Sequence, residues 1–181
     1  MELTKDRILS LFNILNEKLR SDGARGELTL YGGTVMALVF DSRSSTKDID
    51  VTMEPRDTLK EYVSVIAKEE NLSYDWLNEA VRCYLPRNSE DRSVYLELSN
   101  LLIYAASPKY MLALKLRASR LDKTSKDYDD IKFLLDYLNV ADAISALNIA
   151  REYIPEHLIP IEAKAILNNI FSSGSDLYDN A

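Results

Sequence analysis

The stretch from Tyr31 to Met53, YGGTVMALVFDSRSSTKDIDVTM, constrains the fold of this chain more than any other. It joins a Gly-Gly turn, an apolar segment of helical character, a basic and hydroxyl-rich loop, and Asp48-Ile49-Asp50 at the entry to an apolar run. Upstream, Glu27–Tyr31 alternates as a short strand. The reading is therefore strand, turn, a short helix from Thr34 to Phe40, loop, and a strand from Lys47 to Met53 that Pro55 stops. Side chains at i and i+2 of a strand share a face, which puts Asp48 and Asp50 side by side.

The rest of the chain separates into strands first and helices last. Residues 4–20 place Ile8, Leu11, Phe12, Leu15 and Leu19 on one helical stripe, and SDGARG turns the chain. Thr58–Glu69 is a second amphipathic helix, with Leu59, Tyr62, Val63 and Ile66 on one side. Tyr74–Val81 reads as a short helix with Ser73 as its N-cap. Val94–Leu98 and Leu101–Ala105 form a hairpin about Ser99-Asn100. Ser107-Pro108 opens a helix, serine as cap and proline at its first position. Helices then run over roughly 108–120, 126–138, 141–153 and 160–171, with Pro155 and Pro160 as punctuation. This order predicts an α+β protein: a mixed β-sheet flanked by helices over residues 1–106, then a C-terminal helical bundle over 107–181 packed on it as one unit.

Composition narrows the function. An apolar fraction of 46% is ample for a core. A net charge of −7 opposes broad, sequence-blind binding to nucleic acid. Between Pro108 and Lys126, however, Lys109, Lys115, Arg117, Arg120, Lys123 and Lys126 face only Asp122. That run is either a solvated helix face or a patch that holds a triphosphate or an RNA end. The chain carries no apolar stretch long enough to span a membrane, and MELTKDRILSLFNIL lacks a small-residue cleavage site, so a cytoplasmic protein with no membrane partner is expected. The lone Cys83 fits a reducing compartment, and with His157 as the only histidine, zinc lacks ligands.

The chemistry then rests on oxygen ligands. A carboxylate pair such as Asp48 and Asp50 suits Mg²⁺, commonly together with substrate phosphates. Gly32 and Gly33 have no Cβ and let backbone N–H groups approach an anion closely. A phosphate cradle beside metal-binding carboxylates leads to the expectation of nucleotidyl transfer.

On these motifs the chain resembles the nucleotidyltransferase superfamily, marked by a Gly-Gly or Gly-Ser turn followed by an Asp-x-Asp strand. It is similar, more narrowly, to AbiEii-like and DUF6036-type proteins, which include toxins of toxin–antitoxin systems. The segments YGGTVMALVF, RSSTKDIDV, DWLNEAV, ASPKYMLALKLRASR and KDYDDIKFLL carry this likeness. Fourteen residues separate Gly33 from Asp48, slightly more than the commonest superfamily spacing, and the extra length falls in the Arg43–Lys47 loop. The resemblance implies a nucleotidyltransferase-like mixed sheet, Mg²⁺ on Asp48 and Asp50, and an NTP substrate. Gly32, Gly33 and Thr34 would donate to its phosphates, with Arg43, Ser45 and Thr46 as further donors or as members of an exposed loop.

The same likeness assigns further roles, each beside a plainer one. Many superfamily members use a third carboxylate on a neighbouring strand, which Glu97 would supply if it is not a solvent-facing glutamate. Lys115 falls among Met111, Leu112, Leu114 and Ala118 on its helix, so it either snorkels outward or reaches an anionic site, the phosphate-contacting or catalytic position of the family. Asp127 would orient Lys115 or the substrate, with Asp130 as a second. Alternatively both are first-turn acids that complement the helix dipole behind a Ser125 cap. Trp76 either stacks a base or sits in the core. The function expected is Mg²⁺-dependent transfer of NMP from an NTP to an RNA (a tRNA included) or a protein, in a toxin-like protein with a cognate antitoxin. The alternatives are an inactive nucleotide-binding or antitoxin-like module of the same fold, or a helical interaction protein whose D-x-D is accidental.

Overall fold

The computed structural model describes residues 2–86, 91–119 and 126–175. The fold is α+β, and it divides into two units, Met1–Cys83 with Glu90–Ala106, and Tyr84–Ser89 with Ser107–Ala181.

The first unit runs β1 (Leu3–Thr4), α1 (Lys5–Ser21), β2 (Gly26–Leu30), α2 (Gly32–Leu38), β3 (Ser45–Thr46), β4 (Ile49–Glu54), α3 (Arg56–Glu69), β5 (Leu77–Asn78), β6 (Arg92–Glu97) and β7 (Leu101–Ala106). Five strands form a mixed sheet in the order β5-β4-β2-β7-β6. At its centre β2 runs antiparallel to β4 and parallel to β7, while β1 and β3 form a separate two-stranded ladder. Alternation sorts the two faces. Leu28, Leu30, Ile49, Val51, Met53, Leu101 and Ile103 are buried on one face, against α1 and α3. Gly26 shows how closely those helices pack, since a Cβ there would lie 2.9 Å from Leu59 of α3 and 3.3 Å from Leu19 of α1. The other face carries Thr29, Thr52 and Tyr104 level with one another, and Asp50 one step beyond the end of β2. Arg92 lies over the Tyr104 ring at 4.1 Å and donates to Thr29 Oγ1.

Side-chain hydrogen bonds fix the ends of these elements. Thr4 caps α1 by accepting from the Arg7 amide. Buried Asn16 of α1 accepts from the Asn100 amide at 2.9 Å, and Asn100 donates from its side chain to the Ala24 carbonyl at 2.7 Å. The β6–β7 turn is thereby tied to both α1 and the entry of β2.

Several expected boundaries differ. α2 begins at Gly32 rather than Thr34, and β4 begins at Ile49, which leaves Asp48 just outside the strand. Tyr74–Val81 is not a helix: Leu77–Asn78 pairs with Ile49–Asp50 as β5, and a 3₁₀ turn follows over Ala80–Tyr84. Tertiary contacts override the helical pattern here. The Ile49 amide donates to the Trp76 carbonyl at 2.8 Å, and buried Trp76 donates from its indole to the Val63 carbonyl at 3.1 Å. Ser73 does not cap a helix; its hydroxyl donates to Asp75. Trp76 is thus a core residue. Beyond it, burial pushes the Glu79 carboxyl up, but hydrogen bonds from Arg56 and Arg82 outweigh that and leave its pKa below the ordinary value.

The second unit is helical: α4 (Pro108–Arg117), α5 (Lys126–Tyr137), α6 (Ala143–Tyr153), a 3₁₀ turn over Glu156–Leu158, and α7 (Ile161–Ser175). Ser107 caps α4 by accepting from the Tyr110 amide at 3.2 Å, with Pro108 in the first turn, as the sequence predicts. α4 packs on α5 and α6, and α6 on α7. Among the described residues no helix is long and apolar enough to cross a membrane.

Asn16→Ala should lower the stability to urea by about 1–3 kcal/mol, because it orphans a turn amide beneath α1. A loss within about 0.5 kcal/mol, the range of ordinary surface changes, would contradict the tie described.

Candidate functional site

The site grows from the end of β2. The Tyr31 amide donates to the Asp50 carbonyl at 2.9 Å, which continues the β2–β4 pairing one residue past the strand. The chain then turns into α2 through Gly32, whose φ of +57° is a left-handed conformation suited to glycine. A Cβ on Gly32 would lie 2.4 Å from Asp50 Oδ2. A Cβ on Gly33 would lie 2.7 Å from Thr46 Oγ1 and 3.1 Å from Arg43 Nη1. The two glycines are therefore faced by Asp50, Thr46 and Arg43, all singled out in the sequence. Thr46 is buried and held by its pairing with Leu3 in the β1–β3 ladder.

Two expected phosphate donors are otherwise engaged. Ser45 pairs with Thr4, and its hydroxyl donates to Glu2 at 2.7 Å rather than serving the glycine turn. Thr34 is fully buried, and its hydroxyl donates to the Asp48 carbonyl at 3.3 Å. It holds Asp48 in place. Asp48 needs such help because it lies outside the β4 ladder. Its carboxylate accepts from Asn78 Nδ2 at 3.3 Å, and Asn78 stands opposite Asp50 in the β4–β5 pairing. Sequence reading missed Asn78, since a two-residue strand has no periodicity to reveal it. Arg92 was missed as well; only its place on the far face of the sheet shows it beside Thr29.

Glu97 is not brought to this place. It pairs with Leu102, which pairs with Glu27, which pairs with Glu54. That row lies four residues along β4 from Asp50, or about 13 Å at the rise of a strand. An irregularity between Val94 and Leu96 also breaks the alternation assumed for β6. Glu97 thus loses the position of a third carboxylate. Among the described residues, no group of three or more His, Cys, Asp or Glu is disposed to hold a metal ion. Asp48 and Asp50 still suit Mg²⁺, which is commonly bound through one or two protein carboxylates with substrate phosphates and water. The Asp50 carboxylate, seated where a Cβ on Gly32 would stand, faces the glycine turn, which is consistent with that donor set.

In the helical unit, Lys115 of α4 is gripped by two carboxylates of α5. Its Nζ lies 2.6 Å from Asp127 Oδ1 and 2.7 Å from Asp130 Oδ2. The contact expected between Lys115 and Asp127 is present, and Asp130, 5% exposed in its side chain, takes a stronger part than expected. Arg117 donates to the Tyr84 carbonyl at 2.8 Å, so it is not simply a solvated cation. Arg120 and Lys123 of the basic run, their counter-charge Asp122, and the Ser125 cap lie outside the described residues.

Comparison with known proteins gives two findings. Residues 6–165 match the family described as "Nucleotidyltransferase of unknown function (DUF6036)". The fold is similar to that of an antigenic nucleotidyltransferase-like protein from Paracoccidioides brasiliensis, with a TM-score of 0.51 and 17% identity, over 99% of this chain and 94% of that one. No curated protein matches.

Two stability measurements check this geometry. Gly23 also has a positive φ, +66°, but a Cβ there would meet nothing within 4 Å, so it isolates backbone strain. Gly32→Ala should be more destabilising than Gly23→Ala, which costs about 1–2 kcal/mol for the left-handed backbone alone. Asp50→Ala should recover most of the difference, whereas equal losses for the two glycines would contradict the contact. Lys115→Met should cost about 2–3 kcal/mol, less than a fully buried pair because Asp127 is 43% exposed, and Asp130→Asn should restore part of it. A neutral Lys115→Met would show that the two carboxylates do not depend on the lysine.

Proposed function

Since the chain belongs to the DUF6036 family of nucleotidyltransferases, we propose that Asp48, Asp50 and the Gly32-Gly33 turn form a site that transfers NMP from an NTP to an acceptor hydroxyl. The observation that carries this reading is the packing at the turn, where Gly32 leaves room for the Asp50 carboxylate and Gly33 for Thr46 and Arg43. Carboxylates, backbone N–H groups and a guanidinium then meet within a few residues, as a triphosphate with its cation requires. Gly32 and Gly33 would present N–H groups to the phosphates, with Arg43 and Thr46 beside them. Asp48 and Asp50 would hold the cation, Asp48 steadied by Thr34 and Asn78. Bound there with the triphosphate, Mg²⁺ would offset the charge on the transferred group and the departing pyrophosphate. A phosphate that reached Lys115 would have to take the place of Asp127 or Asp130.

The proposal extends to an RNA acceptor, a tRNA end included, or a protein hydroxyl. It also includes a toxin-like role with a cognate antitoxin, from the resemblance noted above. Fold alone does not fix the acceptor. A second reading, an inactive nucleotide-binding or antitoxin-like module, draws support from two observations: Glu97 stands at the far end of the sheet, and Lys115 is already neutralised.

Transfer from each of the four α-³²P-labelled NTPs, with Mg²⁺, to total RNA and to protein separates the two. Label should appear on one acceptor class and fall at least about a hundredfold in Asp48→Ala and in Asp50→Ala, with far-UV spectra unchanged. Transfer that survives both substitutions defeats the mechanism. NTP binding with no label on either acceptor supports the inactive module.

A further inference from the structure

Asn78 occupies a position from which a side chain can reach the carboxylate pair directly. It is the β5 partner of Asp50, and its Nδ2 is 3.3 Å from Asp48 Oδ2. Its Oδ1 accepts from the Ala80 amide at 2.8 Å, which turns the amide group so that Nδ2, a donor, faces Asp48. The segment that carries it is anchored on both sides, by Trp76 in the core and by Glu79 between Arg56 and Arg82. The amide is thus placed by the fold.

An amide nitrogen donates hydrogen bonds and has no lone pair for a cation, so this position steadies Asp48 without adding a ligand. The protein then brings two carboxylates to the pair, with the Arg43 guanidinium beside the same glycine turn. Affinity for a hard cation follows the number and charge of its oxygen ligands, and Mg²⁺ commonly completes its shell with substrate phosphates and water. We propose that Asn78 is a positioning residue for the pair: its amide holds the Asp48 carboxylate for a cation shared with triphosphate oxygens, and because it brings no charge the pair holds a divalent ion weakly by itself and firmly when those oxygens join it. This rests on the reading of the pair as a metal–triphosphate site. An aspartate at position 78 would put a third carboxylate where the amide now stands, and would release the cation site from its dependence on nucleotide.

Mn²⁺ binding, followed by the paramagnetic resonance of the free ion, tests this without turnover. The titration is run alone and with the α,β-methylene analogue of each NTP, for the wild-type chain, Asn78→Asp and Asn78→Ala. The wild type should bind Mn²⁺ at least about tenfold more tightly with one of the analogues than alone. Asn78→Asp should bind Mn²⁺ alone at least about tenfold more tightly than the wild type does. Asn78→Ala should gain nothing alone and lose several-fold in the presence of the analogue, since Asp48 loses its donor; this arm decides the matter if Asn78→Asp does not fold. Nucleotide-dependent binding that is unchanged in both variants overturns the role of Asn78 and leaves the proposed function standing. Wild-type binding that is equally tight without nucleotide overturns the conditionality. If Mn²⁺ binds neither alone nor with any analogue, the proposed function itself fails, and this inference with it.

Discussion

The contact between the Asp50 carboxylate and Gly32 governs the organisation of the first unit. Because Oδ2 lies where a Cβ on residue 32 would stand, that position must be glycine for space, and its positive φ asks for glycine again. The contact exists only if β2 and β4 are neighbours in the register observed, with the Tyr31 amide on the Asp50 carbonyl. It therefore links the exit of one strand, the start of α2 and the acidic face of another strand. Gly33 repeats the constraint toward Thr46 and Arg43, and the β1–β3 ladder holds Thr46 in reach. A carboxylate and a guanidinium are thereby brought to one short turn of backbone. That turn belongs to a sheet whose other face is closed by α1 and α3, so Asp50 is aimed by a packed core, while Arg43 and Asp48 stand on the connections that flank β3.

Most of the architecture is legible in the sequence because it follows from apolar periodicity and from caps. The stripe of Ile8, Leu11, Phe12, Leu15 and Leu19 is buried as α1, and Ser107-Pro108 starts α4 where a cap and a first-turn proline should. Pairings between distant segments are not legible. β5 and the β1–β3 ladder have two residues per strand, too few for alternation to show, so the first reads as helix and the second as loop. The same blindness hides Asn78 and misplaces Ser45, whose hydroxyl turns to Glu2. Glu97 fails for a different reason. Its strand is evident, but the end of the sheet on which a residue falls depends on register and direction, which no local pattern supplies.

The acidic pair and the lysine show how similar residue types meet different fates. Asp48 sits off its strand and is steadied by neutral donors, Thr34 at its carbonyl and Asn78 at its carboxylate. Asp127 and Asp130 are instead closed upon Lys115 as ion pairs within the helical unit. This half-buried cluster joins α4 to α5 by charge. The chemistry proposed above accordingly leans on the glycine turn and the Asp48–Asp50 pair, and not on the lysine.

The most direct examination of that claim is anomalous diffraction from crystals grown with Mn²⁺ and the analogue identified by titration. The account places the Mn²⁺ peak within ligand distance of both the Asp48 and the Asp50 carboxylates, with the β- and γ-phosphates against the Gly32-Gly33 amides. A peak elsewhere, or a triphosphate bound away from the glycine turn, would contradict it.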